Sequence, residues 1–174
     1  MKNFGPKPAG AFTGESFGLK FPKHDAHLRF ERKKQMFDQI LVPTDFSDKS
    51  GKALDIATRL ALKENATLHL LHVIEIIADT TFEEFKDFYT KLENRAQRNM
   101  NRLKKKYEDK PVRMKQHIVY GSRTAEILRF SQERQIDLIV LNSHKIDPED
   151  PSQGWGTISY KVGILSQCPV MLVK

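Results

Sequence analysis

Ile136-Asp137-Leu138-Ile139-Val140-Leu141-Asn142-Ser143-His144, then Gly156-Thr157, then Cys168-Pro169-Val170-Met171-Leu172-Val173-Lys174, decide the fold. Each apolar run has the length of one strand and no polar alternation, which is how a strand buried on both faces reads. Between them lie a polar, proline-containing loop and a helix that opens at Gly156-Thr157. Strand, loop, helix and strand form the unit of a parallel sheet, because parallel neighbours need a crossover long enough to hold a helix. The first N–H groups of that helix have no intrahelical partner and carry the positive end of its dipole. They point at the loop after the strand, where anions bind in such sheets. Asn142, Ser143, His144, Gly156, Thr157, Ile158 and Ser159 are therefore the candidate contacts of an anion.

Upstream the same unit repeats. Gln39-Ile40-Leu41-Val42 reads as a short buried strand ended by Pro43, and Ser47 as the cap of a helix. That helix places Ala53, Leu54, Ile56, Ala57, Leu60 and Ala61 on one face and closes at Asn65. Thr67 to Ile74 is a second strand. A long helix follows, with Phe82, Phe85, Tyr89, Leu92, Ala96, Met100, Leu103 and Tyr107 at three- and four-residue steps. Its other face is charged and reads as solvated. Val112 to Tyr120 is a third strand, Gly121 a turn, and Ser122 to Gln135 a helix with Ala125, Ile127, Leu128 and Phe130. Five strands alternating with about four helices imply an α/β sandwich of three layers, with a parallel sheet in the middle.

The chain of 174 residues suits one domain, and 39% hydrophobic with 29% charged residues is ordinary for a globular protein. No apolar run reaches membrane-spanning length, no secretory leader is expected, and the single cysteine, Cys168, allows no disulfide framework. Cys168 beside a core strand reads as buried and inert, and the cytoplasm is the expected compartment. The net charge of +7 resides mostly in residues 1–35, which hold eight Lys/Arg against three acidic residues; residues 36–174 hold 21 against 19. That placement argues against a nucleic-acid surface on the folded part. Residues 1–35 also hold Phe4, Phe12, Phe17, Phe21 and Phe30 without periodicity, and read as a flexible basic extension. They are either a docking tail or a dispensable one, with Met36 as an alternative natural start, and the dispensable tail is the favoured reading.

Parallel sheets gather chemistry at the carboxyl ends of their strands. After the first strand stand Pro43, Thr44 and Asp45, whose carboxylate suits a ribose hydroxyl, an adenine amine, a metal or a turn of its own backbone. At the end of the second stands His72-Val73, where the Val73 backbone can read an adenine edge and His72 reads as packed. No paired carboxylates, nucleophile elbow, metal-ligand cluster or Walker sequence occurs, so an enzyme is not expected and no catalytic or metal residue is assigned.

Val42-Pro43-Thr44-Asp45-Phe46-Ser47, Leu70-Leu71-His72-Val73, Asn142-Ser143-His144, Gly156-Thr157 and Cys168 to Lys174, in that order, closely resemble the universal stress protein family over residues 36–174. The resemblance implies a Rossmann-like, adenine nucleotide alpha hydrolase-like domain that dimerises by pairing its last strand, here Val170, Met171, Leu172 and Val173. It implies an ATP site, with Mg²⁺, in many members, and a stress-response role. The family's phosphate loop reads Gly-x-x-Gly, nine residues, then Gly-Ser/Thr. Here Gly156-Thr157 keeps the final pair, Asn142 and Lys145 replace the first two glycines, and the spacer is ten residues with Asp147, Pro148, Glu149, Asp150 and Pro151 in it. Glycine admits positive φ and close approach of phosphate; Asn tolerates that region, and Lys adds bulk with a compensating charge. Two expectations stay open: a dimer with a regulatory adenine nucleotide in the crevice, or a scaffold of the same fold that binds no nucleotide and acts through an unknown protein partner.

Overall fold

The computed structural model describes residues 35–76, 85–143, 149 and 156–174. Phe82, His144, Lys145, Asp147, Pro148, Asp150, Pro151 and the extension up to residue 34 lie outside the described residues. Five strands, β1 (Gln39–Pro43), β2 (Thr67–Ile74), β3 (Arg113–Tyr120), β4 (Leu138–Asn142) and β5 (Val170–Val173), alternate with four helices. The helices are α1 (Asp48–Glu64), α2 (Lys86–Lys106), α3 (Arg123–Glu133) and α4 (Ile158–Leu165). The sheet order is β3-β2-β1-β4-β5 and all neighbours run parallel.

The two-residue period of a strand builds the three layers. Ile40, Val42, Leu68, Leu70, Leu138 and Val140 pack on Ala53, Leu54 and Ala57 of α1 and Met100 of α2. Leu41, Leu71, Val73, Ile139 and Leu141 point the other way, onto Ile127 and Phe130 of α3 and Val162 of α4. The chain winds outward from β1 to β3 with α1 and α2 on one face. It then returns to lay β4 beside β1, and the right-handed crossover puts α3 and α4 on the opposite face. Each buried aliphatic side chain stabilises the fold by roughly 1.5–3 kcal/mol.

Local signals agree. Ser47 caps α1 by accepting from the Ser50 N–H, and Asn65 ends it in the left-handed region at φ 54. Differences from expectation have identifiable causes. β4 starts at Leu138, not Ile136, because the Asp137 carboxylate accepts the N–H groups of Asp38 and Gln39, at 2.7 and 3.1 Å, and so anchors the entry to β1. Asn142 is the last residue of β4, paired with Val173, rather than the first of a loop. Phe85 precedes α2 and is exposed, not core. Cys168 is half-buried, not buried, with its Sγ 3.4 Å from the Ser166 hydroxyl. Among the described residues no helix is long and apolar enough to cross a membrane.

Candidate functional site

The strand order reverses between β1 and β4, and there the sheet parts. The β1–β4 register stops at Leu41↔Ile139, whereas β2–β3 runs to Ile74↔Tyr120 and β4–β5 to Asn142↔Val173. The Gln39 C=O accepts from the Asp137 N–H, so Gln39, Leu41 and Pro43 turn their main chain toward β4. Pro43 has no N–H with which to extend that ladder. A crevice of about 230 Å³ opens beyond it, lined by Pro43, Thr44 and Asp45 after β1, Leu71 to Val73 of β2, Leu141 and Asn142 of β4, Ile158 and Ser159 of α4, and Arg123 and Ile127 of α3.

The loop after β1 is held by its own side chains. The Asp45 Oδ1 accepts from the Ser47 N–H at 3.0 Å and the Ser47 hydroxyl at 2.6 Å. Thr44 Oγ1 accepts from the Phe46 N–H at 3.1 Å and lies 3.0 Å from the Ser50 hydroxyl, which donates to the Ser47 C=O. Phe46 between them takes φ 65, a left-handed conformation a bulky residue seldom adopts. Burial alone would raise the Asp45 pKa, but the bonds from Ser47 outweigh it and hold the carboxyl below its ordinary value. Asp45 is thus an ionised acceptor at the crevice wall. Ser47, not Asp45, caps the helix.

β2 outruns β1. The Leu71 C=O accepts from the Thr44 N–H, and the Ile74 C=O from the Gly121 N–H beyond β3. Main-chain groups alternate sides along a parallel strand, so those of Val73 face the β1 side, where β1 has ended. Among the described residues they find no main-chain partner there. His72 is half-buried, its Nδ1–H donates to the Thr44 C=O at 2.9 Å, and its ring lies tilted by 34° against Phe46 with centroids 4.3 Å apart. Burial, and then the nearby Arg123 guanidinium, depress its pKa against the opposing pull of the Thr44 bond and the Asp45 charge. The imidazole is neutral, with Nε2 as its acceptor.

At the other wall, Thr157 caps α4 by accepting from the Tyr160 N–H, so its hydroxyl is a helix cap before it is a ligand donor. The Ile158 and Ser159 N–H groups begin the helix. Ser143 Oγ lies 3.3 Å from Ser159 Oγ, which lies 3.3 Å from Thr157 Oγ1, and the Lys174 ammonium donates to Ser143 at 3.2 Å. Gly156 takes φ 75, and a Cβ added there would meet nothing within 4 Å. Backbone conformation, not close approach, explains glycine at this position. No group of three or more His, Cys, Asp or Glu among the described residues could hold a metal ion.

Pro43, Thr44, Asp45, Val73, Asn142, Ile158 and Ser159 therefore share one crevice. Ser143 and Thr157 join it through the hydroxyl chain, while His144 lies outside the described residues. Sequence reasoning missed Arg123, which lines the crevice and pairs with Glu75 at 2.7 Å, and Lys174 on Ser143. The helix start after Gly121-Ser122 was the available signal for Arg123, since it too stands at the carboxyl end of a strand.

The family model described as the universal stress protein family matches residues 36–174. The universal stress protein YxiE of Bacillus subtilis is 33% identical over 80% of this chain and all of its own. The solved structure of MJ0577, a universal stress protein of Methanocaldococcus jannaschii, is 31% identical with a TM-score of 0.68, covering 80% of this chain and 96% of its own. A universal stress protein solved in complex with cAMP shares the fold at 20% identity and a TM-score of 0.60, covering 80% of this chain and 98% of its own.

Proposed function

The chain belongs to the universal stress protein family, and on that footing we propose that it is a dimeric, cytoplasmic stress-response protein whose crevice binds an adenine nucleotide as a regulatory ligand. The observation that carries this reading is the Val73 main chain, whose N–H and C=O face the gap left by β1. An adenine edge offers a donor and an acceptor side by side, and a strand segment of that kind matches both. Asp45, held ionised by Ser47, suits ribose hydroxyls. The α4 N-terminus and the Ser143–Ser159–Thr157 hydroxyls suit phosphates, with Lys174 adding positive charge. Mg²⁺ would come with the phosphates, since the crevice offers Asp45 as its one carboxylate among the described lining residues. The cAMP complex of a relative supports a ligand of this class.

The crevice favours binding over turnover. Asp45 is a weak base below its ordinary pKa, and His72 is depressed with one nitrogen already committed to Thr44. Calorimetry and thermal melting with ATP–Mg²⁺ test the proposal: a ligand at 100 times its Kd raises stability by about 2.7 kcal/mol. Absence of heat and of any melting shift at millimolar nucleotide would refute it. The scaffold reading is then the one left, and it has its own support, because the hydroxyls of Ser143, Ser159 and Thr157 already engage one another.

The dimer is proposed through β5. The Val173 C=O faces β4, accepting from the Ser143 N–H, so Val170 and Leu172 turn their main chain to the outer edge. Met171 and Leu172 are exposed, and Leu172 shares a hollow with the exposed Tyr160 and Ile164 of α4, whereas the Val173 side chain is core. Leu172→Pro removes an outward N–H without touching the β4 ladder. Light scattering should then report a folded monomer; an unchanged dimer would exclude this pairing.

A further inference from the structure

The charge of residues 36–174 is concentrated in one helix. Residues 91–105 hold six Lys/Arg against one acid, Glu93, while the rest of 36–174 holds 15 against 18. All six cations lie on α2 and are exposed. Lys91, Arg95, Arg98, Arg102 and Lys105 recur at steps of four, three, four and three, which places them on one face. At 1.5 Å per residue the stripe is about 21 Å long. The opposite face carries Tyr89, Ala96 and Met100 into the core. Among the described residues none of the five forms an ion pair. Glu93 accepts from the Tyr120 hydroxyl at 2.9 Å, and Asp87, Glu108 and Asp109 stand only at the two ends of the stripe.

Helix stability does not account for this pattern. The dipole favours cations in the last turn, which explains Lys104, Lys105 and Lys106 but not Lys91, Arg95 or Arg98. Like charges three and four residues apart repel, where a solvated helix gains from alternating signs. Membrane insertion does not fit either, since the apolar face of α2 is already used by the core. We propose that the stripe is a docking surface for the phosphate backbone of a nucleic acid, contacted without base readout. A regular line of cations on a rigid helix complements a regular line of phosphates, arginine forks bind phosphate oxygens in pairs, and released counterions drive association. The near-neutral balance of residues 36–174 conceals this clustered, folded surface, because the remainder of that span is net acidic.

The test is fluorescence anisotropy of the full chain with a labelled duplex of about 20 base pairs, titrated across salt. Arg98, Arg102 and Lys105 are changed together to Gln; Arg95 is left alone because it also lines the hollow beside Asp45. The wild type should bind with a steep salt dependence. The variant should lose at least about tenfold in affinity and about 2–3 from the slope of log K against log salt. Its melting temperature should match the wild type, since all three side chains are exposed. A control with Lys2, Lys7 and Lys20 changed to Gln should bind nearly as the wild type does. Failure of the wild type to bind, an unchanged slope in the stripe variant, or loss in the control instead would overturn the proposal. So would preference for phosphatidylserine vesicles over the duplex, which would assign the stripe to membranes.

Discussion

The two ends of the central sheet treat polar side chains differently. At the amino-terminal end, the His69 Nε2–H donates to Gln39 Oε1 at 2.8 Å, and the His117 Nε2–H donates to His69 Nδ1 at 3.1 Å. Phe130 covers both rings, at 5.8 and 4.7 Å between centroids, and the Asp137 carboxylate takes the N–H groups of Asp38 and Gln39. Both ring nitrogens of His69 and both carboxylate oxygens of Asp137 are engaged there. At the carboxyl end the same residue types, Asp45 and His72, keep capacity in reserve: each binds its neighbours through one atom and borders a crevice. Residue identity does not separate structure from function in this fold; what separates them is whether hydrogen-bonding capacity is used up.

The closed end should break hardest. His69→Ala removes a ring that is 3% exposed and strands the His117 and Gln39 partners, and should cost about 2–4 kcal/mol in urea unfolding. A loss below about 1 kcal/mol would mean that the network is not closed. Asp45→Ala should do the reverse, leaving stability within about 1 kcal/mol while weakening adenine-nucleotide affinity about tenfold by calorimetry. Equal effects on both would dissolve the contrast.

The contrast also shows in pH. Burial, then repulsion from His117, Lys115 and Arg134, lowers the His69 pKa from 6.5 to about 4. The unfolded chain therefore takes up a proton between those values that the folded chain refuses. The stability due to neutral His69 is complete above pH 6.5 and is lost as pH falls toward 4. His72 and His117 are lowered too and add to the same loss. Melting temperature should fall across that window, and His69→Gln should flatten the fall by about a few degrees.

Much of this was legible in the order of residues. The elements follow from apolar runs that alternate with helical spacing, and Asp45 and Val73 fall at the crevice because strand ends converge. Pro43 was legible as a stop, but not as a gap: that depends on which neighbour its main chain faces, a matter of register between β1 and β4. Arg123 reaches the crevice only because β3 and α3 bring it back across the sheet. The charge on α2 counted as a solvated face until its cations proved to be in line and without ion pairs among the described residues.

Pro43 has a consequence in time as well as in space. A gap held open by a missing hydrogen exists before any molecule arrives, so the two strands that flank it need not part to admit one. The described walls therefore add no opening step of their own to capture or to escape.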